Sequence, residues 1–298
     1  IIPMNNHSKV MQEHGKSFFW ASWFLDKNTA NKLFAVYAFC RRLDDLVDTS
    51  NRNSEAKEEI AKVISLTNNS QYKETFEEFK SLDSNLRPRQ DIIIEFLKGQ
   101  LSDLEFRQPN DLGQLLKYCY RVAGVVGLMI CDVLDIHDSK LRYFAIDFGI
   151  AMQLTNICRD IKEDAQIGRI YLPKNETISL GINNFRLPSN TDIIIINSSR
   201  DKLIKLADEY YQSGICGINQ LPKKIKRSFM VASNIYQGIG HKILKKRYSF
   251  NEQRVYLSKF EKLNLTIKTF LKRSKFIEKP MHEKKLHTSL QNLPDIDL

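Results

Sequence analysis

Between residues 28 and 274, apolar side chains recur three and four positions apart in one run after another, a period that α-helices satisfy and strands do not. The runs predict helices at 28–48, 54–66, 72–80, 89–106, 111–134, 138–164, 192–215, 222–246 and 251–274. Punctuation falls between them, at "NLRPRQ" (85–90), at "QPND" (108–111) and in the long "LPKNETISLGINNFRLPSNT" (172–191). Ile193 to Ile196 is β-branched and could form a strand, but it has no partner run nearby and leads into "RDKLIKLADEYY", so it is assigned to a helix. With only 12 Gly and 8 Pro in 298 residues, a turn-dense β architecture is disfavoured. The expectation is one all-α domain over residues 1–276, followed by a basic, loosely ordered tail at 277–298.

Two of these helices carry an unusual acidic pattern. In "RRLDDLVD", Arg41, Asp44 and Asp48 fall at steps of three and four behind the apolar run Leu33, Phe34, Val36, Tyr37, Phe39. In "QLTNICRDIKEDAQIGRIYLP" (153–173), Gln153, Asn156, Asp160 and Asp164 fall at steps of three, four and four. At 3.6 residues per turn each set shares one helix face, while Asp45 is rotated about 100° away and should matter less. Like charges at i, i+4 cost an isolated helix about 0.2–0.5 kcal/mol per pair, a cost that hard cations can offset. Oxygen donors with open positions suit Mg2+, which keeps several waters and bridges to phosphate.

Other chemistries are disfavoured. Cys40, Cys119, Cys131, Cys158 and Cys216 are odd in number, never in C-x-x-C spacing and embedded in apolar patterns, which suits buried thiols in a reducing compartment. The six histidines form no H-x-x-x-H pair, so any metal ligands are expected to be carboxylates. No stretch of about 18 apolar residues is present, and the opening "IIPMNNHSKVMQEHG" lacks a basic segment followed by an apolar one, so neither a membrane-spanning helix nor a secretory signal is expected. The formal net charge is +10, with much of the excess after residue 220, at Lys223, Lys224, Lys226, Arg227, Lys242, Lys245, Lys246, Arg247, Lys272, Arg273 and Lys275. A basic surface suits anionic membranes, phosphorylated substrates or nucleic acid, but no nucleic-acid-binding signature accompanies it.

Three blocks, "YAFCRRLDDLVD", "YCYRVAGVVG" and "QLTNICRDIKEDAQIGRIYLP", resemble the hallmark blocks of the squalene/phytoene synthases, most closely those of its bacterial phytoene-forming members. The similarity runs from about His14 to about Arg254. It implies the all-α isoprenoid synthase fold, with two aspartate-rich helices facing each other across a central cavity. By this resemblance Asp44 and Asp48 on one side, and Asp160 and Asp164 on the other, bind Mg2+ (or Mn2+), and Asn156 adds a metal or diphosphate contact. Gln153 stands one turn back, Arg41 and Arg159 hold diphosphate, and Ser17 in "GKSF" approaches phosphate, although Gly15 stands where several relatives carry a second serine. Tyr118 matches a tyrosine near the reacting carbons, and Tyr236 and Arg254 match later diphosphate-site residues. Tyr118, Arg41 and the four aspartates form the implied catalytic set, with Phe18, Tyr37 and Gly127 among the substrate contacts.

The resemblance further implies head-to-head joining of two geranylgeranyl diphosphates to phytoene through prephytoene diphosphate, a step of carotenoid biosynthesis, with no NADPH. Phe18, Phe19, Trp20, Phe34, Tyr37, Tyr118 and Met129 are candidates to line the cavity. Gly124 and Gly127 fit either close approach of an isoprenoid chain or a tight helix crossing. Ser17, Ala21 and Ser22 are small residues that would leave depth for a C20 chain. The competing expectations are a farnesyl diphosphate enzyme making squalene, dehydrosqualene or presqualene diphosphate, and a non-catalytic assembly protein of the same family. The expected setting is cytoplasmic, peripheral on the inner, anionic face of a membrane, with no nucleic acid as partner.

Overall fold

The computed structural model describes residues 6–49, 53–67, 76–182, 184–271 and 282–296, and among these there is no strand. The helices are α1 (Asn6–His14), α2 (Lys16–Ser22), α3 (Lys27–Thr49), α4 (Asn53–Thr67), α5 (Gln90–Leu104), α6 (Leu112–Cys119), α7 (Val125–Val133), α8 (Ser139–Gln166), α9 (Asn190–Ile218), α10 (Lys223–Lys246) and α11 (Lys259–Leu271). Their starts follow side-chain chemistry. Asp138 accepts from the backbone N–H groups of Lys140 and Leu141 to open α8, and Ser189 with Asp192 forms a capping box that opens α9, so Ile193–Ile196 is helical as the pattern implied.

Helix α8 runs through the middle, burying Phe144, Ile146, Ile150, Ala151, Leu154 and Ile157 along its length. Its neighbours come unusually near. A Cβ built on Gly127 of α7 would lie 2.3 Å from the Ala145 carbonyl oxygen, and one on Gly149 of α8 would lie 2.2 Å from that of Ala123. For Gly127 the cost of glycine is therefore explained by tight helix crossing, one of the two readings left open for "VAGVVG", whereas a Cβ on Gly124 would meet the Tyr120 and Ile146 side chains at 3.2 and 3.4 Å.

Several details depart from the sequence reading. The first two helices, α1 and α2, were not predicted. The helix expected at 72–80 lies partly outside the described residues, and within them Glu77–Phe79 is a single 3₁₀ turn. The run 111–134 is interrupted by a π-helical turn at Tyr120–Gly124. The helix expected from residue 251 starts only at Lys259, because Ser258 and Glu261 cap it reciprocally: Glu261 accepts from the Ser258 N–H at 2.7 Å, and Ser258 Oγ accepts from the Glu261 N–H at 3.1 Å.

The largest correction concerns the end of the chain, where residues 282–296 were expected to be loose. Leu286, His287, Leu290 and Ile296 are buried, and the segment is tied down by polar groups. Asp147 of α8 is fully buried; it accepts from His282 Nε2 and His287 Nε2 at 2.7 Å each and from Ser213 Oγ at 2.5 Å. Tyr210 and Tyr120 donate to the carbonyls of Leu286 and Pro294, at 2.7 and 2.6 Å, and Asp295 pairs with Arg142 and Arg89. Burial pushes the Asp147 carboxyl up, but hydrogen bonds from the two histidines outweigh it and hold the group below its ordinary value. Its contribution is complete above the ordinary carboxylate range and is lost as pH falls through its lowered folded value. Replacing Asp147 with Asn should cost about 3 kcal/mol of stability and expose residues 282–296 to proteolysis; thermal unfolding and limited digestion check this.

Candidate active site

Helices α3 and α8 meet at a cavity of about 1250 Å³ that α2, α7 and α10 complete. Its polar end is formed by Asp44 of α3 with Gln153 and Asn156 of α8; its body is apolar, with Phe34, Val126, Ile130, Phe148, Met152 and Phe229. Phe18 stands 5.1 Å from the Tyr236 ring and 6.2 Å from the Tyr37 ring, so three aromatic faces line one side. A second apolar void of about 480 Å³ shares Gly127, Ile130, Phe148 and Phe229 with the first.

The α8 stripe is electrostatically uneven. Asn156 Nδ2 reaches Gln153 Oε1 at 3.4 Å, but Asn156 Oδ1 is buried and without a hydrogen-bond partner, a deficit worth about 1–3 kcal/mol. One turn on, Asp160 is gripped by two guanidiniums: Arg159 at 2.6 and 2.5 Å and Arg254 at 2.6 and 2.7 Å, each bidentate. Two positive charges thus face one negative charge, leaving an excess suited to a polyanion. One turn further, burial and then the charge of Asp160 push the Asp164 carboxyl up to about 7. Tyr236 is pushed up by burial and stays a neutral phenol beside this group.

On α3, Asp44 accepts from Gln100 Nε2 of α5 at 2.8 Å. Asp48 lies one turn beyond on the same helix, but its side chain falls outside the described residues. Arg41 is ion-paired with Asp45, while its Nε is buried without a partner. Asp45 was set aside as the less important carboxylate; its role is to hold Arg41 one turn from Asp44. The donor set fits a hard divalent cation: its groups are oxygens, one acceptor lacks a donor, and one carboxyl is poised to lose its proton to solvent when a cation binds.

Not every expected residue joins the cavity. Ser17 is half-buried on α2, and Phe19, Trp20 and Met129 lie outside the lining. The site of the absent serine is occupied: a Cβ on Gly15 would lie 2.8 Å from the Tyr37 ring. Tyr118 lines a different pocket, of about 1020 Å³, where its hydroxyl donates to Asp103 Oδ2 at 3.0 Å. Tyr171 donates to the other Asp103 oxygen at 2.8 Å and stacks on Tyr118 at 4.9 Å. Sequence reasoning missed Gln100, Asp103 and Tyr171. Gln100 and Asp103 share a face of α5 at a step of three, and Tyr171 lies inside the second acidic block, so the signal existed without anything to give it a partner.

The squalene/phytoene synthase family model matches residues 11–261. The chain is 31% identical to a 15-cis-phytoene synthase of Enterobacter agglomerans over 269 residues, covering 86% of this chain and 91% of that protein. It is 30% identical to a 15-cis-phytoene synthase of Pantoea ananas over 281 residues, covering 89% and 90%. Among solved structures, a dehydrosqualene synthase in complex with ligand superposes with a TM-score of 0.73 at 27% identity, covering 89% of this chain and 94% of that one.

A carboxyl whose folded pKa stands above its unfolded value favours folding in its protonated form, so its contribution is complete below about pH 4 and is lost as pH rises through about 7. In chelator, thermal stability should therefore fall as pH rises across that window, and a divalent cation should restore it at the alkaline end. A flat profile in chelator would contradict the assignment of Asp164.

Proposed function

The chain belongs to the squalene/phytoene synthase family and has its isoprenoid synthase fold, and from that premise we propose that this prenyltransferase of the phytoene synthase type joins two geranylgeranyl diphosphates head to head. The observation that carries the reading is the division of one cavity into a polar end, built by Asp44 of α3 with Gln153 and Asn156 of α8, and an apolar body with aromatic walls.

Each half of that cavity has its own task. Asp44, Asp48, Asn156, Asp160 and Asp164 would hold Mg2+, with Mn2+ as a substitute, which when bound neutralises diphosphate charge. Arg159 and Arg254, on exchanging Asp160 for phosphate, would offer two planar guanidinium forks, and Arg41 a third, to the oxygens of a departing diphosphate. Stabilising that leaving group is the largest electrostatic requirement of ionising an allylic diphosphate. The allylic cation is left among Phe18, Tyr37, Phe148 and Tyr236, whose π faces stabilise positive charge while the apolar wall excludes water. Burial and then Asp103 push the Tyr118 phenol well up, so it remains protonated and keeps its hydrogen bond to Asp103 at the neighbouring pocket. Ionisation, cyclopropyl diphosphate formation, second ionisation and loss of a proton to phytoene consume no hydride, so NADPH is not called for.

A second reading, a farnesyl diphosphate enzyme, is favoured by the structural likeness to a dehydrosqualene synthase. Against it, Ala21 and Ser22 line the cavity as small residues. A non-catalytic role is opposed by the presence of all four aspartates. The basic stretch from Lys223 onward suits a cytoplasmic enzyme that works on the anionic face of a membrane, where its substrates partition.

Incubation with geranylgeranyl diphosphate and Mg2+, without NADPH, should yield a C40 hydrocarbon by mass, and its absence would refute the proposal. Ser22→Phe should fill the cavity at α2, lowering kcat/KM for the C20 substrate at least about tenfold relative to the C15 substrate. Side-by-side turnover of the two diphosphates measures it.

A further inference from the structure

Helix α11 is fixed to the body by polar contacts alongside Leu265, which packs against Gly238 of α10. Thr266 is buried and accepts from Trp20 Nε1 at 3.2 Å, Thr269 accepts from Asn234 Nδ2 at 2.7 Å, and Glu261 pairs with Lys242 at 2.9 Å. Its outward side is apolar, with Phe260 77%, Leu263 45%, Ile267 48% and Leu271 77% exposed. Those four positions, at steps of three, four and four, form a single stripe. The polar contacts fix the helix in this orientation, so the stripe is held out rather than left over from poor packing. Trp23, 59% exposed, stands beside it: Trp20 stacks on Trp23 at 5.1 Å, and Phe24 meets Phe270 of α11 at 5.0 Å.

We propose that this stripe of α11, together with Trp23, is the surface by which the protein lies on an anionic bilayer. The proposal deepens the membrane partner named above and rests on that reading of an enzyme for lipid substrates. Three observations select a lipid surface over a protein partner. The stripe is bordered by cations: Lys259 and Lys268 are exposed on the same helix, and the Arg227 guanidinium lies 5.5 Å over the Phe270 ring. The one acid of the helix, Glu261, is already engaged by Lys242. A helix of 13 residues with this composition cannot cross a membrane but can lie in its interface, with Phe, Leu and Trp in the acyl boundary and Lys among headgroups. The place also makes sense, because α2 separates the stripe from the cavity: Phe18, Ala21 and Ser22 face the cavity, whereas Trp20 contacts α11.

The test uses the full chain with vesicles of phosphatidylcholine alone and with phosphatidylglycerol added. The protein should sediment with the anionic vesicles, and brominated lipids should quench its fluorescence in a way that Trp23→Phe largely removes. Phe260→Ser with Ile267→Ser should weaken vesicle partition about tenfold or more, and Lys259→Gln with Lys268→Gln should do so on anionic vesicles only. Because none of these residues contacts the cavity, turnover in detergent should match the unaltered protein. Turnover in detergent without vesicle binding would overturn the surface while leaving the enzyme reading intact. Vesicle binding without turnover would support the surface and refute the enzyme reading. Unchanged partition of the Phe260/Ile267 variant, equal binding to neutral and anionic vesicles, or a dimer that this variant dissociates in the absence of vesicle binding would each overturn the proposal.

Discussion

Carboxylates cannot be taken out of water on largely apolar helices unless something compensates their charge, and the architecture around α3 and α8 answers to that constraint. Asp160 is stabilised by two guanidiniums, Asp44 by an amide from α5, and Asp164, where burial and Asp160 outweigh the charge of Arg169, keeps its proton to about pH 7. Without a cation, the three carboxylates thus solve the same problem in three ways: ion pairing, neutral hydrogen bonding and protonation. Under the proposed function, divalent cations arriving with a diphosphate would displace each of these solutions: Arg159 and Arg254 would become available to phosphate oxygens, and the orphaned oxygen of Asn156 would gain a partner.

That exchange requires the two helices to hold their positions while the charges rearrange. The close backbone approaches of Gly127 of α7 to Ala145, and of Gly149 of α8 to Ala123 in the π-helical turn, leave little room for sliding. On the far side of α8, the C-terminal segment closes over Asp147 through His282 and His287. Those three side chains bring metal-ligand atoms within 4.8 Å, but an anionic carboxylate only accepts, so both ring nitrogens face it as donors and the cluster is satisfied as a clasp. It belongs to the scaffold, whereas the oxygen-only groups at the cavity belong to the chemistry.

The helical class, most boundaries and both acidic stripes were legible because each depends on local periodicity: a 3.6-residue repeat of apolar or acidic side chains needs no partner to be recognised. What was illegible depends on distant pairs. Arg254 finds Asp160 across 94 positions, and His287 finds Asp147 across 140. Gln100 and Asp103 looked like ordinary polar residues of α5 until Asp44, Tyr118 and Tyr171 came to meet them. Tyr118 was expected at the cavity but lies with Asp103 and Tyr171 at a neighbouring pocket, a placement set by partners that a local helical period does not reveal. Helix α11 failed at its start for a local reason that could have been read, the S-x-x-E cap at Ser258.

The central claim is that α3 and α8 hold cations between them and release Arg159 and Arg254 to diphosphate. Its most direct test is anomalous diffraction from crystals grown with Mn2+ and a non-hydrolysable thio-analogue of the allylic diphosphate. The account requires manganese peaks at coordination distance from Asp44 and Asp160, with Arg254 shifted from Asp160 to the diphosphate. Peaks confined to the Asp147–His282–His287 cluster, or both arginines still clamped on Asp160 beside a bound analogue, would contradict it.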